Sequence, residues 1–238
     1  CKEKLSLDRL IKLDQKDTHY LKNVMRCKVE DTIILFNERD LEFFAKIKNL
    51  NKKQSILYIH KKTNNSENLN DIYLIFSLVK KDQVEYIIQK STELGVKKIF
   101  PIITERSSVK NINFSRLKLI AKEACEQSER IVMPEIMDLV TLETLIKKWN
   151  SKRKILFADE ILVENKNKIL LNKKDFISSA LLVGPEGGFS SNENIMLKKH
   201  KFIFPITLGK RILKSETAVV VGLSYLNFIN SFYQISFQ

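Results

Sequence analysis

Two consecutive runs of strand, loop and helix character near the C-terminus restrict the fold of this chain more than any other feature. Residues 181–226 read LLVGPEGGFSSNENIMLKKHKFIFPITLGKRILKSETAVVVGLSYL and hold five of the six glycines in 238 residues: Gly184, Gly187, Gly188, Gly209 and Gly222. The apolar run at 180–183 lacks polar alternation, as expected of a strand buried on both faces of a parallel sheet. After the GPEGGF loop, Ser190 and Glu193 have the spacing of a capping box, in which the hydroxyl accepts the N3 amide and the carboxylate reaches back to the N-cap amide. The pattern then repeats, with a strand predicted at 204–208, a loop at 209–214 and a helix capped by Ser215. Open parallel sheets bind ligands beyond the carboxyl ends of their strands, which is where both loops fall. Glycines there allow a ligand to approach the backbone, although on spacing alone a plain tight turn is equally compatible. The pattern is neither the G-x-G-x-x-G fingerprint nor a Walker A loop.

Upstream, residues 1–71 read as a small β-rich domain. A helix is predicted at 18–26 with Leu21, Val24 and Met25 on one side, followed by strands at 32–36, 42–47 and 55–59. The stretch KKTNNSENLND at 61–71 is polar and without periodicity, which marks a boundary and leaves 72–238 as a second domain. Strands at 72–79, 98–103 and 154–158 alternate there with helices at 82–94, 115–130 and 141–149, the signature of an α/β unit with a parallel sheet. Asp82 is the expected cap of the first of these helices, and Gly95 its C′ residue. Leu117, Ile120, Ala121 and Ala124 form the inward stripe of the second, where Cys125 reads as a small core residue. The helix at 215–230 is apolar nearly all round, so it must be covered on every side.

Lysine and arginine exceed aspartate and glutamate by 13, which favours a polyanionic partner. The excess is 4 up to residue 71 and 9 beyond it, close to proportional to length, so charge does not locate the binding face. No apolar run approaches the ~20 residues that span a bilayer, and the first residues lack a signal-type apolar core, so cytoplasmic residence is expected. Cys1, Cys27 and Cys125 match no zinc spacing and agree with a reducing compartment. No metal constellation is visible.

Four ordered segments carry a resemblance over essentially the whole chain. VGPEGGFS with Glu193, LGKRILKSETA at 208–218, QKSTELGVKKIFPIITERSSVK at 89–110, and KEACEQSER at 122–130 with PEI at 134–136 resemble the RsmE family of 16S ribosomal RNA uridine-N3 methyltransferases, within the SPOUT superfamily. The resemblance implies an α/β fold: a PUA-like β-barrel at 1–71, then a SPOUT methyltransferase domain at 72–238. For that domain the resemblance implies a parallel sheet and a deep trefoil knot, a knot that connection rules by themselves would exclude. It implies S-adenosylmethionine as cofactor, a homodimer contact through the final helix, and 16S ribosomal RNA or the small ribosomal subunit as partner.

The cofactor residues so implied are Phe157, Val183, Gly184, Pro185, Glu186, Gly187 and Gly188 in the first part. Leu208, Gly209, Ile212, Leu213 and Thr217 complete them. Arg211 is the expected cation for charge spreading to uridine O2 and O4, and Glu216 or Glu186 the expected proton acceptor, although both carboxylates stand where they could cap helices instead. Arg9, Arg26, Arg106, Lys110, Gln127, Arg130 and Lys214 are the implied RNA contacts. The chain departs from the family with Lys210 for proline, Lys214 for arginine, and Glu30 and Glu129 at positions that are commonly glycine. Lysine at 214 lacks the two-point fork of arginine. Two rival readings are a SPOUT methyltransferase acting on transfer RNA or ribose, and a non-catalytic RNA-binding assembly factor.

Overall fold

The computed structural model describes residues 3–37, 39–51, 54–63, 71–159, 176 and 178–235, and the chain divides into two compact units, Cys1–Asn68 and Leu69–Gln238. Most of the boundary stretch 61–71, and most of the segment between 158 and 179, lie outside the described residues.

The first unit contains β1 (Leu10–Leu13), α1 (Gln15–His19), β2 (Thr32–Asn37), β3 (Leu41–Leu50) and β4 (Ser55–Lys62). The strands form an antiparallel sheet in the order β1-β4-β3-β2. Alternation does the sorting: Ile11, Leu13, Ile33 and Leu35 are buried, while their strand neighbours Leu10 and Ile34 are exposed. The helix predicted at 18–26 is corrected. Asp14 caps α1 by accepting the Asp17 amide at 2.8 Å, and a π-helical turn, Tyr20–Val24, follows, closed by the Met25 amide on the Tyr20 carbonyl at 3.0 Å. In that wider turn residues three and four apart no longer share a face, so Leu21 is buried whereas Val24 and Met25 are exposed.

The second unit is built on a seven-stranded parallel sheet. Its central strands run β11 (Ile203–Ile206), β9 (Lys154–Ala158), β10 (Ser179–Val183), β5 (Tyr73–Ser77) and β6 (Lys98–Ile103), and the short β7 (Glu135–Ile136) and β8 (Val140–Thr141) both pair with β6. Successive residues of the apolar strands serve opposite faces. Leu74, Phe76, Leu181 and Val183 meet α2 (Lys81–Glu93), α3 (Phe114–Gln127) and α6 (Ser215–Ile235). Ile75, Ala180 and Leu182 meet α4 (Leu142–Lys148) and α5 (Ser191–Lys198). Both faces are covered, which is why these strands carry no polar alternation. α6 lies directly against β10: a Cβ on Gly222 would stand 2.7 Å from Leu181 Cδ2. Among the described residues no helix is long and apolar enough to cross a membrane.

Two expectations about helix ends need correction. α2 begins at Lys81, with the Lys80 amide donating to Gln83 Oε1 at 3.2 Å, so Asp82 lies in the first turn and does not cap it. Arg130 is 5% exposed and therefore does not face RNA; its guanidinium donates to the carbonyls of Thr92 and Val96, both at 2.7 Å, at the end of α2. A planar fork suits that pair of carbonyls, with the Thr92 oxygen also accepting the Gly95 amide at 3.1 Å.

α3 closes with the Arg130 amide on the Cys125 carbonyl at 2.9 Å, the long bond of a Schellman motif, and this forces Glu129 to φ +58°. Glu30 has φ +73°. Both are positions at which the resemblance implied glycine, and a left-handed conformation costs a residue with a Cβ about 1–2 kcal/mol. Glu129→Gly is therefore expected to stabilise the protein by about 1 kcal/mol, seen as a higher urea midpoint with unchanged slope. An unchanged or lower midpoint would refute the strain assignment.

Candidate active site

The loops after β10 and β11 converge at the carboxyl end of the sheet because β9, which pairs with both strands, holds them one strand apart. The first is shaped by Gly184, where a Cβ would stand 2.7 Å from Phe189 Cε2, and by a turn in which the Gly188 amide donates to the Pro185 carbonyl at 2.9 Å. Phe189 closes back on the strand end and meets Phe157 of β9 edge to face, with centroids 5.1 Å apart. α5 follows with the capping box expected from the sequence: the Ser190 amide donates to Glu193 Oε2 at 2.9 Å, and the Glu193 amide to Ser190 Oγ at 3.1 Å.

The loops are joined by Ser215, whose Oγ donates to the Gly184 carbonyl at 2.8 Å. This corrects the expected cap. The Ala218 amide bonds the Lys214 carbonyl at 2.8 Å, so the helix already begins at Ser215, and the hydroxyl serves as a tie between loops.

Between the loops lies a cavity of about 570 Å³. Of the expected cofactor residues, Phe157, Val183, Gly184, Pro185, Glu186, Gly188, Leu208, Gly209, Ile212 and Leu213 line it, and so does Arg211. Gly187 and Thr217 are not on its wall, nor are Glu216 and Lys214. Lys110, Gln127 and Lys214 are exposed elsewhere on this unit. In the first unit, Arg26 is exposed and Arg9 is half-buried, 3.7 Å from Glu3.

Several residues on the wall carried no signal as cofactor contacts. Arg106, expected to touch RNA, enters from the loop after β6 and donates through Nη1 to the Gly187 carbonyl at 2.7 Å. Asp159 follows β9 and is buried; Lys198 of α5 pairs with it at 2.9 Å, as a buried carboxylate requires. Asn194 donates to the carbonyls of Phe189 and Ser190, both at 3.1 Å, which fixes its amide orientation. Gln83, behind the first loop, donates through Nε2 to Glu186 at 2.6 Å and to Glu216 at 3.3 Å. Both carboxylates are thus held by a side chain, where the sequence had suggested helix amides. Lys210 and Arg211 also line the cavity, and among the described residues Arg211 has no hydrogen-bond or ion-pair partner.

Sheet order, paired loops and cation-rimmed cavity define a ligand-binding α/β domain, and comparison with known proteins gives its class. Residues 65–227 match the family model of an RNA methyltransferase domain, and residues 13–57 that of an RNA methyltransferase PUA domain. Ribosomal RNA small subunit methyltransferase E of Rickettsia conorii is 34% identical, over 90% of this chain and 87% of that protein. The Bacillus subtilis protein of the same name is 32% identical, over 90% and 88%. The crystal structure of the Neisseria gonorrhoeae protein, bound to S-adenosylmethionine, superposes with a TM-score of 0.84 at 29% identity, covering 96% of this chain and 95% of that one. The chain belongs to the ribosomal RNA small subunit methyltransferase E family.

Proposed function

We propose that this protein transfers a methyl group from S-adenosylmethionine to N3 of a uridine in the 16S RNA of the small ribosomal subunit. The observation that carries the reading is the cavity between the loops after β10 and β11, bounded by two of the segments that carry the resemblance. Its residues fit the cofactor. A volume of about 570 Å³ lies within the ~300–1,000 Å³ typical of small-molecule sites, and apolar walls combine with backbone groups made reachable by Gly184 and Gly188. Bound there, S-adenosylmethionine supplies the electrophilic sulfonium methyl.

The chain's own residues supply orientation and charge. Val183, Gly184, Leu208, Ile212 and Leu213 hold the cofactor between strand ends, and Phe157 with Phe189 excludes water from one side. Uridine N3 is weakly nucleophilic until its proton leaves. Arg211, whose guanidinium has no partner among the described residues, stabilises the charge that spreads to O2 and O4. Of the two carboxylates held by Gln83, Glu186 is on the cavity wall and Glu216 is not, so the proton-accepting role falls to Glu186. Arg9, Arg26, Lys110, Gln127 and Lys214 serve as contacts to the RNA backbone, and the target base is presented unstacked.

The reading includes a homodimer and residence in the cytoplasm. α6 buries Val219, Leu223 and Leu226 yet leaves Tyr225 and Phe228 65% and 62% exposed, an aromatic face suited to a second copy of the chain. Sedimentation as a monomer at micromolar concentration would rule the dimer out.

Calorimetry and nucleoside analysis test the function. The protein is expected to bind S-adenosylmethionine and to form N3-methyluridine in small-subunit RNA. Absence of binding heat would favour a non-catalytic assembly factor. An alkali-resistant linkage would instead indicate ribose methylation.

A further inference from the structure

A capping box needs one acceptor from its N3 side chain, and glutamate or glutamine serves equally well. Glu193 does more. Its Oε2 accepts the Ser190 amide at 2.9 Å, and its Oε1 accepts the amide of Glu105, 88 residues away in the loop after β6, also at 2.9 Å. The carboxylate is only 7% exposed, so both oxygens are spent on backbone amides of two different loops.

The residue after Glu105 is Arg106, which holds the Gly187 carbonyl and lines the cavity. The root of the same loop is fixed independently. Ser77 Oγ lies 2.7 Å from Thr104 Oγ1 and 2.9 Å from Ser107 Oγ, and the Thr104 amide donates to Ser107 Oγ at 2.8 Å. With its root anchored and Glu105 docked, the loop has Arg106 set across the turn that follows β10.

We infer that Glu193 is a positioning residue for the cofactor site: by accepting the Glu105 amide it sets Arg106 on the Gly187 carbonyl and so holds the glycine turn in its binding shape. The inference rests on the reading of the cavity as an S-adenosylmethionine site. It explains why a carboxylate is needed where a helix cap alone would accept an amide. Glutamine at 193 would keep one acceptor for Ser190 and turn an N–H₂ group towards the Glu105 N–H, donor against donor.

The test compares S-adenosylmethionine binding by calorimetry in the full-length protein and in Glu193→Gln, Arg106→Ala and the double variant. Each single change is expected to weaken binding about tenfold, the scale of one lost bond to a charged group. Because both act on the same carbonyl, the double variant should be within about twofold of the weaker single one. Multiplicative losses would overturn the inference, as would unchanged affinity in Glu193→Gln. Arg106→Ala leaves the cap intact, so unchanged affinity there overturns it even if the glutamine variant does not fold. If the unsubstituted protein takes up no cofactor, the proposed function falls and this inference with it. If it does, multiplicative losses sink the inference alone.

Discussion

Arg211→Ala is expected to leave S-adenosylmethionine affinity within about twofold and to lower methyl transfer by a factor of about 10² to 10³, the usual loss when one preorganised charge-stabilising donor is removed. Two observations set this apart from a general weakening of the site. Arg211 lines the cavity without a hydrogen-bond or ion-pair partner among the described residues, so its removal leaves no buried group unsatisfied. Its neighbours Ile212 and Leu213, which also line the wall, are untouched by the change. Single-turnover rates with saturating cofactor and small-subunit RNA are the decisive measurement. Arg211→Lys should recover part of the rate, since it restores charge without the planar fork. Full turnover in the alanine variant would remove Arg211 from the chemistry.

Gly184→Ala has the opposite expected signature, a loss of binding before any loss of chemistry. The new methyl group would stand 2.7 Å from Phe189 Cε2 and 3.0 Å from Cδ2, too close for any side-chain contact. The ring has little room to yield. It is 8% exposed and packed edge to face on Phe157, which is 1% exposed. Overpacking of this kind costs about 1–3 kcal/mol, and the displaced ring moves along the cavity wall. The variant should melt several degrees lower, at roughly 2–4 °C per kcal/mol for a chain of this size, and bind the cofactor at least about tenfold more weakly. Gly187→Ala is the internal comparison: its Cβ would meet Arg106 Cδ at 3.6 Å, an ordinary contact, so stability should change by no more than about 0.5 kcal/mol. Equal melting temperatures for the two variants would refute the close-approach argument.

The two predictions probe different loops of one cavity, and the cavity shows what each level of organisation contributes. Strand, loop and helix succession was legible because it is written in short-range patterns. The unbroken apolar run at 180–183 reflects cover on both faces of β10, Ser190 and Glu193 sit three residues apart, and Gly95 has φ +76° just past the end of α2. Ten of the twelve expected cofactor residues line the cavity, because a loop between two recognised elements carries its residues with it.

What the sequence by itself determined, then, has its partners within a turn or two along the chain: the Ser190–Glu193 capping box, strand periodicity, and the identity of the two loops. Tertiary structure alone decided which distant groups those loops would meet. Ser215 bonds a carbonyl 31 residues away, Glu193 an amide 88 residues away, and Gln83 a carboxylate 103 residues away. Arg130 looks from its polar neighbours like a surface group, yet it is buried because α2 and α3 pack side by side and its guanidinium bonds the Thr92 and Val96 carbonyls. The physical reason is that a local hydrogen bond is fixed by spacing, whereas a distant one depends on which strands become neighbours. In this sheet β10 lies between β9 and β5, and that order brings the loop after β10 against the start of α2 and the loop after β6.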